Sequence, residues 1–238
     1  EINEIKEGIE FDAVSHGGKE FWISKKYVAK RQISHGGSKG RISKKVPKGL
    51  DKVIDTQFRF HYDTTLIKKC PYVITPDAWI QLSYKIHGTS GISAYVLCKQ
   101  ELTWRQKIAK WLTGEEFNKY DYLYASRTVI KNRTYNPGVQ EGFYGVDVWA
   151  EADKIVRPCL AKGQTVYYEI VGYLPNGGFI QKKYDYGCIP PNEGETYTPE
   201  KHFKVRIYRV TYTNVDGKVF EYTPRQVQQW CAQVGLTP

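Results

Sequence analysis

Short runs of β-branched and aromatic residues alternate along this chain with clusters of glycine, proline and asparagine. Residues 79–84, 122–130, 166–173 and 204–210 each read as a strand, and 57–61 as a shorter one. Residues 205–212 and 219–222 flank Asn214-Val215-Asp216-Gly217, a hairpin turn signal. Helical spacing marks three other segments. Residues 102–112 carry Leu102, Trp104, Ile108, Trp111 and Leu112 in a helical pattern, ahead of Gly114. Residues 144–160 carry Val146, Val148, Trp149, Ala152, Ile155, Val156 and Leu160, with Pro158 near the end. Residues 224–235 set Val227, Trp230, Cys231 and Val234 at i, i+3, i+4, i+7, with Gly235 and Pro238 as stop signals. Strands dominate and helices intervene without a strict βαβ rhythm, which predicts an α+β fold.

Composition narrows the class. A chain of 238 residues, 41% hydrophobic and 25% charged, reads as globular. No run approaches 18 apolar residues, so neither a membrane span nor a membrane partner is expected. Five scattered cysteines without a C-x-x-C pair fit reduced thiols and a cytoplasmic setting. The chain contains no methionine, from which we expect it to be part of a longer polypeptide. The expected organisation is a basic region with short strands over residues 1–66 and a core over 67–238, acting as a monomer.

Charge changes the picture at the N-terminal side. The formal net charge is +10. Residues 1–15 are acidic, whereas residues 16–50 hold ten lysines and arginines against the single Glu20. A stretch of that density attracts polyanions by counterion release. It also contains a repeat: Ser15-His16-Gly17-Gly18 returns as Ser34-His35-Gly36-Gly37, and Ile23-Ser24-Lys25-Lys26 as Ile42-Ser43-Lys44-Lys45. Gly-Gly supports a tight turn, so two basic hairpin arms are expected. Lys25, Lys26, Lys44 and Lys45 are then the candidate contacts to a nucleic-acid backbone; a solvated basic segment is the alternative.

The densest chemistry lies in Lys85-Ile86-His87-Gly88-Thr89-Ser90. A lysine amine can attack phosphorus, a glycine lets backbone approach closely, and two hydroxyls can donate to phosphate oxygens. The hexapeptide resembles the K-x-D-G nucleophile motif of covalent nucleotidyltransferases: RNA ligases, DNA ligases and mRNA-capping guanylyltransferases. The K-x-H-G-T-S spelling is most similar to phage-type RNA ligases. Further matches follow in the family's order: Ser126-Arg127 within 122–130, Glu169 within 166–173, and Tyr208 within 204–210. The resemblance covers roughly residues 68–238. Three departures stand out. His87 occupies the usual aspartate position, and Tyr168 the glycine before the acid. After Tyr208 neither the family's E-G-hydrophobic-hydrophobic motif nor its K-x-K is present.

The resemblance implies an ATP-grasp-like core of mixed or antiparallel sheets around a nucleotide cleft. It also implies an ATP-dependent polynucleotide ligase of RNA-repair type. Lys85 would become a lysyl-AMP and Mg2+ (or Mn2+) would neutralise phosphate charge. AMP would pass to a 5′-phosphate end of RNA, or of a DNA or hybrid end, before a 3′-hydroxyl seals it. A lysine amine must shed its proton to attack, and its ordinary pKa of ~10.4 calls for desolvation or a nearby cation. Arg127 supplies a cation in this scheme. Glu169 would hold the ribose or a metal-bound water. His87, Gly88, Thr89 and Ser126 would contact the nucleotide, and Tyr208 would stack on the purine. A capping-type guanylyltransferase and a non-catalytic RNA-binding relative are the alternatives.

Overall fold

The computed structural model describes residues 13–16, 19–22 and 50–238, apart from 63, 65, 70, 71, 73, 78, 79, 81, 115 and 140–143. It divides into two units, residues 1–31 and 32–238. In the first, β1 (Ala13–His16) pairs antiparallel with β2 (Lys19–Trp22). Ala13 faces Trp22 and His16 faces Lys19, which leaves two residues between the strands. This is the hairpin that the first Gly-Gly pair predicts. The second repeat and Lys25, Lys26, Lys44 and Lys45 lie outside the described residues.

The second unit is α+β. Among its described residues the strands are β3 (Thr89–Lys99), β4 (Asn118–Ser126), β5 (Gln164–Gly172), β6 (Phe203–Thr213) and β7 (Val219–Glu221). They form one antiparallel sheet in the order β4-β3-β5-β6-β7. Helix α1 (Trp104–Thr113) lies between β3 and β4, α2 (Val148–Val156) between β4 and β5, and α3 (Pro224–Val234) follows β7. Among the described residues no helix is long and apolar enough to cross a membrane.

Strand alternation gives the sheet two apolar faces. On one, Val166, Tyr168 and Ile170 of β5 and Val205 and Ile207 of β6 meet α2 and α3 through Val148, Trp149, Val156, Val227 and Trp230. On the other, Ile92, Ala94 and Val96 of β3, Leu123 of β4 and Tyr167 of β5 pack with Phe58, Ile130 and Tyr135. Residues 50–62 thus cover the sheet. The Tyr167 hydroxyl donates to Arg59 O at 2.9 Å, and Gln57 Nε2 donates to Asn214 O at 2.8 Å.

A polar link pins α2 to the sheet. Ser93 Oγ donates to Asp153 Oδ1 at 2.7 Å, and Arg157 Nε donates to Asp153 Oδ2 at 2.8 Å. Burial pushes the Asp153 carboxyl up, while Ser93 and Arg157 oppose that shift. The same network explains Tyr168. Its ring is wholly buried, its hydroxyl lies 3.0 Å from Ser93 Oγ, and its register partner is Gly91. A Cβ on Gly91 would lie 2.2 Å from Tyr168 Cε2.

Four expected boundaries change. Residues 80 and 82–84 form no strand, and Leu82 and Tyr84 are almost bare. The ladder starts only at Thr89, where Gly88 lets the backbone close on β5. Residues 57–61 are irregular too, because their polar groups are spent on the 214–217 turn and Tyr167 rather than on a strand. Strand β4 stops at Ser126, where Val129 N–H donates to Ser126 Oγ at 3.2 Å and the chain folds back to bridge Ala125 with Ile130. Helix α2 starts at Val148 instead of Tyr144. Gly145 turns the chain at φ 67, and Asp147 caps the helix by accepting from Ala150 N–H. The 214–217 turn and α3 fall where the pattern predicts.

Candidate active site at the start of β3

The motif residues, far apart in sequence, converge at one end of the sheet. Gly88 N–H donates to Glu169 Oε1 at 2.9 Å. A Cβ at Gly88 would stand 2.2 Å from Ile170 O, so only glycine lets the chain enter the ladder here. Two residues on, Ser90 pairs in register with Glu169, and its Oγ shares a hydrogen bond of 3.0 Å with Tyr208 Oη. Tyr208 owes its direction to a β-bulge. Tyr168 pairs with Ile207 but Tyr167 pairs with Arg209, so Tyr208 is the extra residue, turned to the face that carries Ser90 and Glu169.

Electrostatics tie the cluster together. Burial pushes the Glu169 carboxyl above its ordinary range, against the opposing Gly88 N–H and the positive charges of Lys85 and Arg127. Burial also raises the Tyr208 hydroxyl; Ser90 opposes, Glu169 adds to the rise, and Arg209 and Arg127 oppose. Lys85 and Arg127 thus act on Glu169, and Glu169 and Arg127 act on Tyr208. The assembly is a partly desolvated carboxylate, two cations beside it and a half-exposed aromatic ring. Such a set can hold an anion or a polar sugar and present an amine to it.

The remaining expected contacts are less concentrated. Lys85 and His87 are exposed. The His87 backbone N–H donates to Tyr186 Oη at 2.7 Å, and its ring lies 5.1 Å from that of Tyr184, so His87 leans on the 184–186 loop. Thr89 opens β3 opposite Ile170. The Ser126 hydroxyl is engaged in the turn to Val129, and Arg127 lies exposed in the bend just past it.

Three neighbours escaped the sequence reading. The His61 ring meets Tyr208 edge-on at 5.2 Å. The Arg209 guanidinium sits 4.4 Å from the Tyr62 ring and 4.5 Å from that of Tyr167, and grips Glu221 with two hydrogen bonds of 2.9 and 2.8 Å. Lys131 is buried with its ammonium 4.4 Å over the Trp149 ring, and Trp149 Nε1 donates to Ser90 O at 2.9 Å. Burial pulls the Lys131 amine down, with Asp147 opposing. Its one sequence signal is a lysine directly after Val129-Ile130, which reads equally well as a surface residue.

Among the described residues no group of three or more His, Cys, Asp or Glu is placed to hold a metal ion. The donor set at the site is the Glu169 carboxylate. That set fits Mg2+, which keeps several waters and takes one or two protein carboxylates beside substrate phosphates. Two open depressions lie elsewhere: one of about 400 Å³ beside Tyr212, Phe220 and Trp230, and one of about 240 Å³ beside Lys52, Lys99 and Lys110. Cys98, Cys159, Cys188 and Cys231 are free thiols. No model of a known protein family matches the chain, and no curated protein matches it.

Proposed function

We propose that the chain is the adenylylating core of an ATP-dependent RNA ligase, with Lys85 as nucleophile. The observation that carries the reading is the convergence of Lys85, Arg127, Glu169 and Tyr208. They come from four separate segments: Gly88 N–H donates to Glu169, Ser90 shares a hydrogen bond with Tyr208, and the charges of Lys85 and Arg127 reach Glu169. In this reading the five-stranded sheet is one sheet of an ATP-grasp-like core. Arg127 supplies the cation beside Lys85, whose amine attacks the α-phosphorus of ATP as pyrophosphate leaves. Glu169 holds the ribose or a metal-bound water, and Tyr208 stacks on the purine through its open face. Magnesium, when bound with the nucleotide, neutralises charge growing on the phosphates. The AMP then passes to a 5′-phosphate, and a 3′-hydroxyl displaces it.

One observation favours a second reading, a non-catalytic RNA-binding relative. After β7 the chain turns into α3, where the family continues with a strand carrying another acid. Incubation with α-labelled ATP and Mg2+ separates the two. The ligase reading requires acid-stable covalent label that Lys85→Ala abolishes. Label from GTP in place of ATP would instead select a capping-type guanylyltransferase.

A further inference from the structure

Helix α1 wears its apolar side outward. Trp104, Ile108, Trp111 and Leu112 stand at i, i+4, i+7 and i+8 and form one stripe. They are 67, 48, 83 and 68% exposed. The side turned toward the rest of the chain is instead Gln106, Ala109 and Lys110, with Lys110 Nζ paired to Glu116 at 2.7 Å. No residue of α1 is buried. The helix is nevertheless firmly formed. Thr103 and Gln106 make a reciprocal capping box, and Gly114 closes the other end at φ 72 with its N–H on Lys110 O. A helix held by its own caps, with no buried residue, has its outward face ready for a partner.

Charge and shape select the partner. Arg105 and Lys107 flank the stripe on its two sides, and α1 has no acidic residue; the Arg105 guanidinium sits 5.4 Å over the Trp104 ring. A second copy would set the same cations against each other. One ten-residue helix face also falls short of the roughly 1,200 Å² that a stable dimer buries. Nucleic acid would use the indoles and cations but gains little from Ile108 and Leu112, which have no π-face. An anionic lipid surface uses all six side chains. Trp, Ile and Leu enter the headgroup–acyl boundary, while Arg and Lys reach up to lipid phosphates.

We infer that α1 is a docking element for the surface of an anionic bilayer, lying in its plane. The absence of a spanning helix does not bear on this, because a surface helix needs only one apolar arc. The element is separate from the Lys85 site: it follows Lys99, at the far end of β3 from Ser90, about 30 Å along the strand.

Flotation of the full chain with vesicles tests it. One set is phosphatidylcholine alone, and a second adds phosphatidylserine. Each is made with and without bromine on the acyl chains, since bromine quenches tryptophan that enters the boundary. The chain should float with the phosphatidylserine vesicles and lose tryptophan emission to the brominated lipid. Trp104→Ser with Trp111→Ser should lower partitioning by roughly tenfold or more and remove the quenching, with the melting temperature unchanged. Arg105→Gln with Lys107→Gln should lower it by roughly fivefold per cation on the anionic vesicles only. Three results would overturn the inference. One is flotation undiminished in the double Trp variant, which means other cations hold the vesicle. Another is no flotation of the parent chain at all. The third is a Trp variant that loses single-stranded RNA binding while vesicle binding stays the same, which would make α1 a nucleic-acid surface.

Discussion

Helices α1 and α3 begin and end alike. Thr103 with Gln106 and Thr223 with Gln226 make the same capping box, and Gly114 and Gly235 turn both chains out at φ 72 and 73. Each carries tryptophan in an apolar stripe. Yet α3 buries Val227, Trp230 and Cys231 against β5 and β6, while α1 buries nothing. Caps decide that a helix forms and where it stops. What stands across from its stripe decides whether the stripe is core. For α3 the sheet stands there. Helix α1 joins β3 to β4, and among the described residues no layer faces its stripe. A similar contrast runs along β3: its start gathers polar groups into a partly desolvated cluster, and its far end leads to apolar groups held in water. Both ends are locally costly, and both are where we place function.

The contrast can be broken at either end. The largest effects belong to the site. Glu169→Ala and Arg127→Ala should each reduce lysyl-AMP formation or transfer by orders of magnitude, with circular dichroism unchanged, as read by label incorporation under single-turnover conditions. Retention of full labelling and full transfer in both would remove the site from the mechanism.

Next come the two helices. Trp230→Ala should cost about 3–5 kcal/mol in urea unfolding, as expected for a large side chain lost from a packed core. Trp111→Ala should stay within about 0.5 kcal/mol. Equal losses would mean that the α1 stripe is covered in solution.

A smaller effect comes from Glu169. Burial holds its carboxyl above the ordinary range, so the folded chain binds that proton more tightly than the unfolded chain. Its contribution to stability is fully present below the ordinary carboxylate range and is lost as pH rises through the raised value. Glu169→Gln keeps an oxygen for the Gly88 N–H and removes that loss. The variant should melt higher than the parent at neutral pH, and the gain should vanish at acid pH. A variant that melts lower at neutral pH would show that Lys85 and Arg127 outweigh desolvation.

The mildest substitution is Tyr208→Phe, which keeps the ring and loses only the hydrogen bond to Ser90. It should change adenylylation by no more than a few-fold, whereas Tyr208→Ala should be severe because stacking uses the ring. Equal loss in the two would assign Tyr208 a hydrogen-bonding role.

Much of the sheet was legible because it is half-buried and alternates. The 166–173 run covers β5 to its end at Gly172, the 204–210 run lies within β6, and the Asn214–Gly217 turn falls in place. The 79–84 run misleads because the sequence alternates there, while among the described residues 80 and 82–84 pair with no strand. The apolar spacing of α1 was visible, but spacing gives a face and not its partner. At the site, Gly88, Glu169 and Tyr208 carried their own signals. His61, Arg209 and Lys131 did not, since an isolated cation or imidazole looks the same in sequence whether it faces water or a ring. The Tyr208 bulge was equally hidden: one unpaired residue in β6 leaves no compositional trace.

The central claim is that Lys85 forms a covalent bond to a nucleotide. Peptide mapping by mass spectrometry after incubation with ATP and Mg2+ reads this directly. The account predicts an AMP adduct on the peptide that contains Lys85, released by pyrophosphate and absent from Lys85→Ala. An adduct on another lysine such as Lys131, or no adduct under conditions where the chain binds ATP, would contradict it.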